Sequence, residues 1–307
     1  MRPRHGGLEH IALFYRTRAE YLAAATSFLT EGLSAGQPGF AAVPGPALRA
    51  LRDALGPAAG RIAFADMTAM GRNPAWILPR VQDFLGASGG RPVRYIGEPI
   101  WAGRPAAEVR EATRHEALLN LALGLAPASV LCPYDTERLD EQVLLDAERT
   151  HPEVQHGETI TRSAAYSGAA MPPGLSQPLP PPPARAGRYP FGGDLVRVRR
   201  LVSERGRAAG LPPMRVRDLV LAVSEVAANT IRHAGGHGVV HIWHDTRAVV
   251  CEVHDDGHIT DPLAGRLQPS PGAPGGHGLW IVHQACDLVE LRSGPAGTAI
   301  RLHMSLR

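Results

Sequence analysis

The stretch SEVAANTIRHA, residues 224–234, sets a glutamate and then an asparagine into an otherwise apolar helical pattern. Glu225 and Asn229 lie about one helical turn apart, so they share a face. Around them Leu219, Val220, Val223, Val226, Ala227 and Ile231 recur at helical spacing and form an apolar stripe. Taken alone, the pair reads as a solvated polar face. The segments that follow decide whether it is one.

Downstream, the strand pattern AVVCEVH (248–254) runs into Asp255-Asp256-Gly257, a carboxylate at a strand end followed by a glycine at a turn. A carboxylate there can accept a hydrogen bond from an exocyclic amine such as that of adenine. GGHGLW (275–280) places glycines at the opening of a helix, where free backbone N–H groups and the helix dipole favour an anion such as phosphate. Gly297-Thr298 opens the last strand, after a hairpin turn SGPAG. Upstream, a helix is expected from Asp194, as N-cap, to about Gly210, and a second over 214–233. Two strands, 239–244 and 248–254, a Pro/Gly-rich loop and a final strand pair complete an α+β layer sandwich.

The ordered set E-x-x-x-N, D-x-G, G-x-G-L and G-T resembles the nucleotide-binding domain of the GHKL ATPases, the class shared by histidine kinases and gyrase. Within that class SEVAANTIRHA, VHDDG, GGHGLWIV and GTAIRLHM are most similar to anti-sigma factor serine kinases. The resemblance implies ATP and Mg2+ as cofactors, with Asn229 as magnesium ligand and Asp255 reading the adenine amine. It implies further that Gly257 lets the backbone pass close to the base, and that Gly276, His277, Gly278 and Leu279 form a phosphate-lid hinge. Thr298 would complete the adenine pocket. Glu225 would then orient or deprotonate the hydroxyl of a partner serine or threonine. The implied partners are a sigma factor, sequestered by binding, and an anti-sigma antagonist, phosphorylated on serine. Ile259 departs from the pattern, standing where many members carry a second glycine; this bears on nucleotide affinity and turnover more than on the fold. The loop TDPLAGRLQPSPGAPGG that follows reads as a mobile lid. Two other functions stay open: a binding module that uses ATP without phosphotransfer, and a sensor histidine kinase.

GAAMPPGLSQPLPPPPARAGRYPFGG, residues 168–193, has four consecutive prolines and little apolar periodicity, and reads as an extended linker. It divides an N-terminal domain, 1–167, from the ATPase-like domain, 194–307. Before it, strand patterns at 10–15, 39–44, 61–67, 92–99 and 129–135 alternate with helical ones near 18–34, 46–55, 74–86, 105–123 and 136–148. That alternation predicts an α/β domain with a mostly parallel sheet. HIALFYRTRAEYLAAATSFLTEGLSAG, FADM, RNPAWILP, YIGEPIW, RHEALLN and CPYD resemble the MEDS sensory domain, which implies a RecA/KaiC-like fold without a phosphate loop. His10, Tyr15, Glu98, Trp101, Cys132, Tyr134 and Asp135 fall near strand ends, where doubly wound sheets bind ligands, though for each a satisfied polar group is the commoner role. Cys132 reads as a small buried apolar residue. His115 and Glu116 in RHEALLN read as surface or interdomain polar residues rather than a phosphoacceptor box.

The chain has 307 residues, enough for two cores, with 44% hydrophobic and 20% charged residues and a net charge of +3. It contains no lysine, which excludes Schiff-base chemistry and a Walker A loop. No arginine cluster or aromatic platform points to direct nucleic-acid binding. Cys132, Cys251 and Cys286 are widely spaced, without a C-x-x-C, as in a reducing cytoplasm. MRPRHGGLEH lacks an apolar signal core, and no apolar run is long enough to span a bilayer. A cytoplasmic protein without membrane contact is expected. The signal received by the N-terminal domain, small molecule or protein, is not named by the sequence. The stripe Leu195, Val198, Leu201 and Val202 leaves a homodimer along helix 194–209 open.

Overall fold

Alternating apolar strands and amphipathic helices can bury their faces only by layering, and the first part of the chain does so around a single sheet. The computed structural model describes residues 7–168, 170–270, 272 and 276–306, in two compact units, Met1–Leu175 and Ser176–Arg307. The first unit runs β1 (Glu9–Tyr15), α1 (Arg18–Ser34), β2 (Gly39–Val43), α2 (Gly45–Leu55), β3 (Ile62–Asp66), α3 (Met67–Met70) and α4 (Ile77–Ala87). It continues with β4 (Val93–Gly97), α5 (Ala106–Leu123), β5 (Ala128–Asp135), α6 (Glu141–Thr150), β6 (Glu153–His156) and β7 (Thr159–Arg162).

The strand order is β3-β2-β4-β5-β1-β6-β7, with every pairing parallel except β6 with β7. β2, β4 and most of β5 are buried on both faces, as their unbroken apolar runs demand. Ile11, Leu13, Val43, Ile96 and Leu131 meet Phe28 and Leu29 of α1 in the core. The hairpin β6–β7 is not expected from sequence. Its strands EVQH and TITR are short and polar, and β7 is exposed throughout.

The second unit contains β8 (Gly187–Phe191), α7 (Leu195–Ala208), α8 (Pro213–His233), β9 (Gly238–His244), β10 (Ala248–Asp255), α9 (His277–Ala285), β11 (Leu288–Gly294) and β12 (Gly297–Ser305). Its sheet is antiparallel throughout, in the order β11-β12-β10-β9-β8. α8 lays Leu219, Val223 and Val226 against Val240, Ile242, Cys251, Val253, Ile300 and Leu302 of the sheet. The expected helix start is met: the Asp194 carboxylate accepts from the Arg197 N–H at 3.0 Å.

Two readings change. The stretch 168–193 is not linker throughout, because β8 lies inside it and pairs with β9 from Gly187 to Phe191. The α7 stripe is partly spent at home, since Val198 and Val202 are buried in the unit's own core. No described helix is long and apolar enough to cross a membrane.

Candidate functional site

The end of α8, the end of β10, the loop after it, the start of α9 and the start of β12 surround a cavity of about 640 Å³. Asn229, Asp255, Gly257, Gly276, Gly278, Leu279 and Thr298 line it. Glu225 is one turn below Asn229 and borders the same place. A Cβ built on Gly278 would stand 3.1 Å from Glu225 Oε2, 3.4 Å from Asn229 Nδ2 and 3.6 Å from Asn229 Oδ1. Of the residues singled out, Glu225 and His277 are not in the cavity wall; His277 is the first residue of α9. The helix opens on Gly276, whose φ of 84° is in the left-handed region that favours glycine. An uncapped helix start facing a cavity offers its free N–H groups to an anion. Asn229 Oδ1 accepts from Arg232 Nη2 at 3.3 Å and keeps a second lone pair for a cation.

Asp255 is fixed by two bonds, one to each carboxylate oxygen. Its Oδ2 accepts from the Thr230 hydroxyl at 2.6 Å and its Oδ1 from the Gly257 N–H at 2.9 Å. Each oxygen has two lone pairs, so the carboxylate retains capacity for an amine donor. Gly257 is glycine for reasons of space: a Cβ there would lie 2.7 Å from the Ala234 methyl at the end of α8. Its carbonyl accepts from Thr298 Oγ1 at 2.8 Å. Thr298 Oγ1 is also 2.6 Å from Ser293 Oγ, which accepts from the Ile259 N–H at 2.7 Å. The Thr298 proton is committed to Gly257, so the Ser293 proton points to Thr298. This chain ties α8, the β10 turn and the β11–β12 hairpin into one frame. Sequence reasoning missed Thr230 and Ser293, although Thr230 is the residue next to Asn229 in the opening stretch.

Ile259 does not replace a conformationally required glycine: among the described residues no non-glycine has positive φ. Its side chain packs against the core and lines the cavity. The first half of the loop read as a lid is a wall of the cavity, through Thr260, Asp261, Leu263, Ala264 and Gly265. Pro271, Ala273, Pro274 and Gly275, which belong to that loop and to GGHGLW, lie outside the described residues.

In the N-terminal unit, Tyr15 and Asp135 end β1 and β5 side by side, and Glu98 follows β4 on the same carboxyl edge of the sheet. Glu98 is 6% exposed and its Oε2 has no hydrogen-bond partner among the described residues. Burial first, and the Asp135 charge second, push its carboxyl up to about 8. Trp101 stacks under the Arg104 guanidinium, 4.4 Å from ring centroid to Cζ, and Tyr134 is buried. His115 and Glu116 are not surface residues, at 3% and 1% exposed, because this face of α5 packs into the unit. Cys132 is buried as expected, but against polar partners: its Sγ is 3.4 Å from both His10 Nε2 and Glu116 Oε2.

Residues 9–152 match the family model described as MEDS, the methanogen/methylotroph, DcmR sensory domain. Residues 193–304 match the histidine kinase-like ATPase domain. No curated protein matches the chain. Among solved structures, the histidine kinase AdeS of Acinetobacter baumannii is 13% identical, over 40% of this chain and 69% of its own, with a TM-score of 0.25. The RsbU and RsbW domains of a Mycobacterium tuberculosis protein are 18% identical, with a TM-score of 0.28. That match covers 68% of this chain, which spans about half (51%) of the other's length.

Proposed function

We propose that this chain, a MEDS domain joined to a histidine kinase-like ATPase domain, is a signalling regulator of the anti-sigma type. In this reading its C-terminal domain binds Mg·ATP and phosphorylates a serine on an antagonist protein, and it sequesters a sigma factor. One observation carries it: Asn229 and Glu225 face Gly278 at the opening of α9, beside a cavity that Asn229, Gly278 and the anchored Asp255 line together.

The residues fit the cofactors. Asp255 keeps acceptor capacity for an adenine amine, and Gly257 leaves room beside it. Thr298 holds the Gly257 carbonyl and so the shape of the base pocket. Gly276, His277, Gly278 and Leu279 would receive the phosphates at the N-terminus of α9. Asn229 offers a hard oxygen for magnesium, which uses few protein ligands and keeps its waters and the phosphates. When bound, Mg·ATP supplies the phosphoryl group for transfer and the charge that offsets it. Glu225 would orient the partner's serine hydroxyl and take its proton. A buried His115 is poorly placed as a phosphoacceptor, which favours transfer to a partner over autophosphorylation on that histidine.

The test is a paired measurement on the full chain and on Glu225→Gln, which keeps the side-chain shape and removes its basicity. Mg·ATP affinity is expected to hold, while phosphoserine formation on a candidate antagonist falls roughly 10²-fold or more. Equal phosphotransfer in both would remove Glu225 from the chemistry. ATP binding without phosphoserine in either would favour a module that uses ATP only to set its conformation.

A further inference from the structure

Four side chains from distant parts of the N-terminal unit converge in its interior: His10 of β1, Glu116 of α5, Cys132 of β5 and His151 at the end of α6. All are buried, and one ligand atom from each lies within 4.8 Å of all the others. The register β1–β5 pairs Ala12 with Cys132, so His10 and Cys132 project from the same face of the sheet toward α5 and α6. Glu116 Oε2 is 3.0 Å from His10 Nε2 and 3.5 Å from His151 Nε2. These separations are close to the edge of a tetrahedron with bonds of ~2.1 Å, which is about 3.4 Å.

The surrounding hydrogen bonds fix where the protons are. His151 Nδ1 is 2.8 Å from the Ala147 carbonyl, which can only accept, so Nδ1 carries the hydrogen. Asn120 Nδ2 donates to the Thr150 and Glu116 carbonyls at 2.7 and 3.3 Å, which leaves its Oδ1 to accept from His10 Nδ1 at 3.0 Å. With Nδ1–H fixed, each ring turns its Nε2 inward, and His10 Nε2 and Glu116 Oε2, 3.0 Å apart, must share a proton or another cation between them. His151 Nε2 and Glu116 Oε1 have no hydrogen-bond partner among the described residues. The Cys132 thiol proton and one proton between His10 and Glu116 still leave His151 Nε2 and Glu116 Oε1 without a partner among these residues. Lone pairs facing one another in a dry interior call for a cation between them.

We propose that His10, Glu116, Cys132 and His151 form a binding site for a divalent transition-metal ion of the zinc type. Two imidazoles, a thiolate and a carboxylate suit a borderline-soft ion, and hard Mg2+ or Ca2+ would reject the sulfur. Binding releases the Cys132 proton to solvent. The two positive charges of the ion then balance one thiolate and one carboxylate, so the loaded site is neutral. Each histidine gives its other ring N–H to a carbonyl oxygen, the outer-sphere arrangement usual for metal-bound imidazole. Asn120 acts as a positioning residue for His10. Four protein donors close the coordination sphere, as in structural or sensing sites rather than catalytic ones. The ion would clamp β1 and β5 to α5 and α6, independently of what the ATPase-like domain does.

The test uses the untagged full chain, stripped with chelator and titrated with Co2+ as a spectroscopic stand-in, then with Zn2+. The expected result is one Co2+ per chain, with the strong visible bands of tetrahedral cobalt and a thiolate-to-cobalt charge-transfer band. Zn2+ should displace it and raise the melting temperature. Cys132→Ser should abolish the charge-transfer band, and Asn120→Ala, which leaves all four ligands, should weaken binding roughly tenfold or more. Failure of the parent chain to take up Co2+ or Zn2+ stoichiometrically would overturn the proposal. So would a charge-transfer band that survives Cys132→Ser, since the sulfur would then be elsewhere.

Discussion

Glu98 shows how a single buried carboxyl ties the N-terminal unit to pH. Its folded value of about 8 stands above the ordinary 4.5 of the unfolded chain, chiefly through burial. Between those two values the folded chain holds a proton that the unfolded chain has lost, so its contribution to stability is present at low pH and declines as pH rises toward 8. Glu98→Gln removes that slope while keeping the shape. Thermal melts at pH 5, 6.5 and 8 should show the variant gaining on the parent as pH rises. Parallel profiles would mean that Glu98 is ionised in the fold. At this scale the sequence is a partial guide. Glu98 is marked out by its place at a strand end, but the pressure on it comes first from its burial in the fold and then from Asp135, at the end of a neighbouring strand. Glu116 is a sharper case. RHEALLN reads as a surface pattern, and only packing shows that its carboxylate meets His10, Cys132 and His151.

At the scale of elements, the β11–β12 hairpin holds the cavity in shape through Thr298. Thr298→Val keeps the volume and removes the hydroxyl, leaving the Gly257 carbonyl without its donor and Ser293 without its acceptor. Orphaning a fully buried polar group costs about 1–3 kcal/mol, and a half-buried one, as Gly257 and Ser293 are, costs less. Denaturant unfolding should show a loss of about 1 kcal/mol in the transition of the C-terminal unit, with weaker ATP binding. Unchanged stability would mean that water replaces the hydroxyl without cost. The elements carrying this network are legible in sequence because each follows a simple period. β10 is a buried apolar run ending at Asp255, and α8 is a helix with one apolar stripe. The elements that escape are those whose stability comes from a partner strand: β6 and β7 are short and polar, β7 exposed along its whole length, and the short, half-exposed β8, GRYPF, sits in a Pro-rich context that argues against a strand. The residues that escape, Thr230, Ser293 and His151, have roles set by contacts across the fold, and no local pattern marks them.

For the whole molecule, chemistry is divided between two units. The first has buried acid, thiol and imidazole groups but neither a lysine nor a phosphate-cradling glycine loop; the second gathers its glycines, Asn229 and Asp255 around one cavity. ATP binding should therefore be a property of the C-terminal unit alone, with a single site per chain. The direct measurement is a calorimetric titration of Mg·ATP into the full chain and into Asn229→Ala. The parent should bind one equivalent, dependent on magnesium, and the variant should keep its fold by circular dichroism and lose that binding. Unchanged affinity in Asn229→Ala, or a second equivalent in the parent, would contradict the assignment of the site.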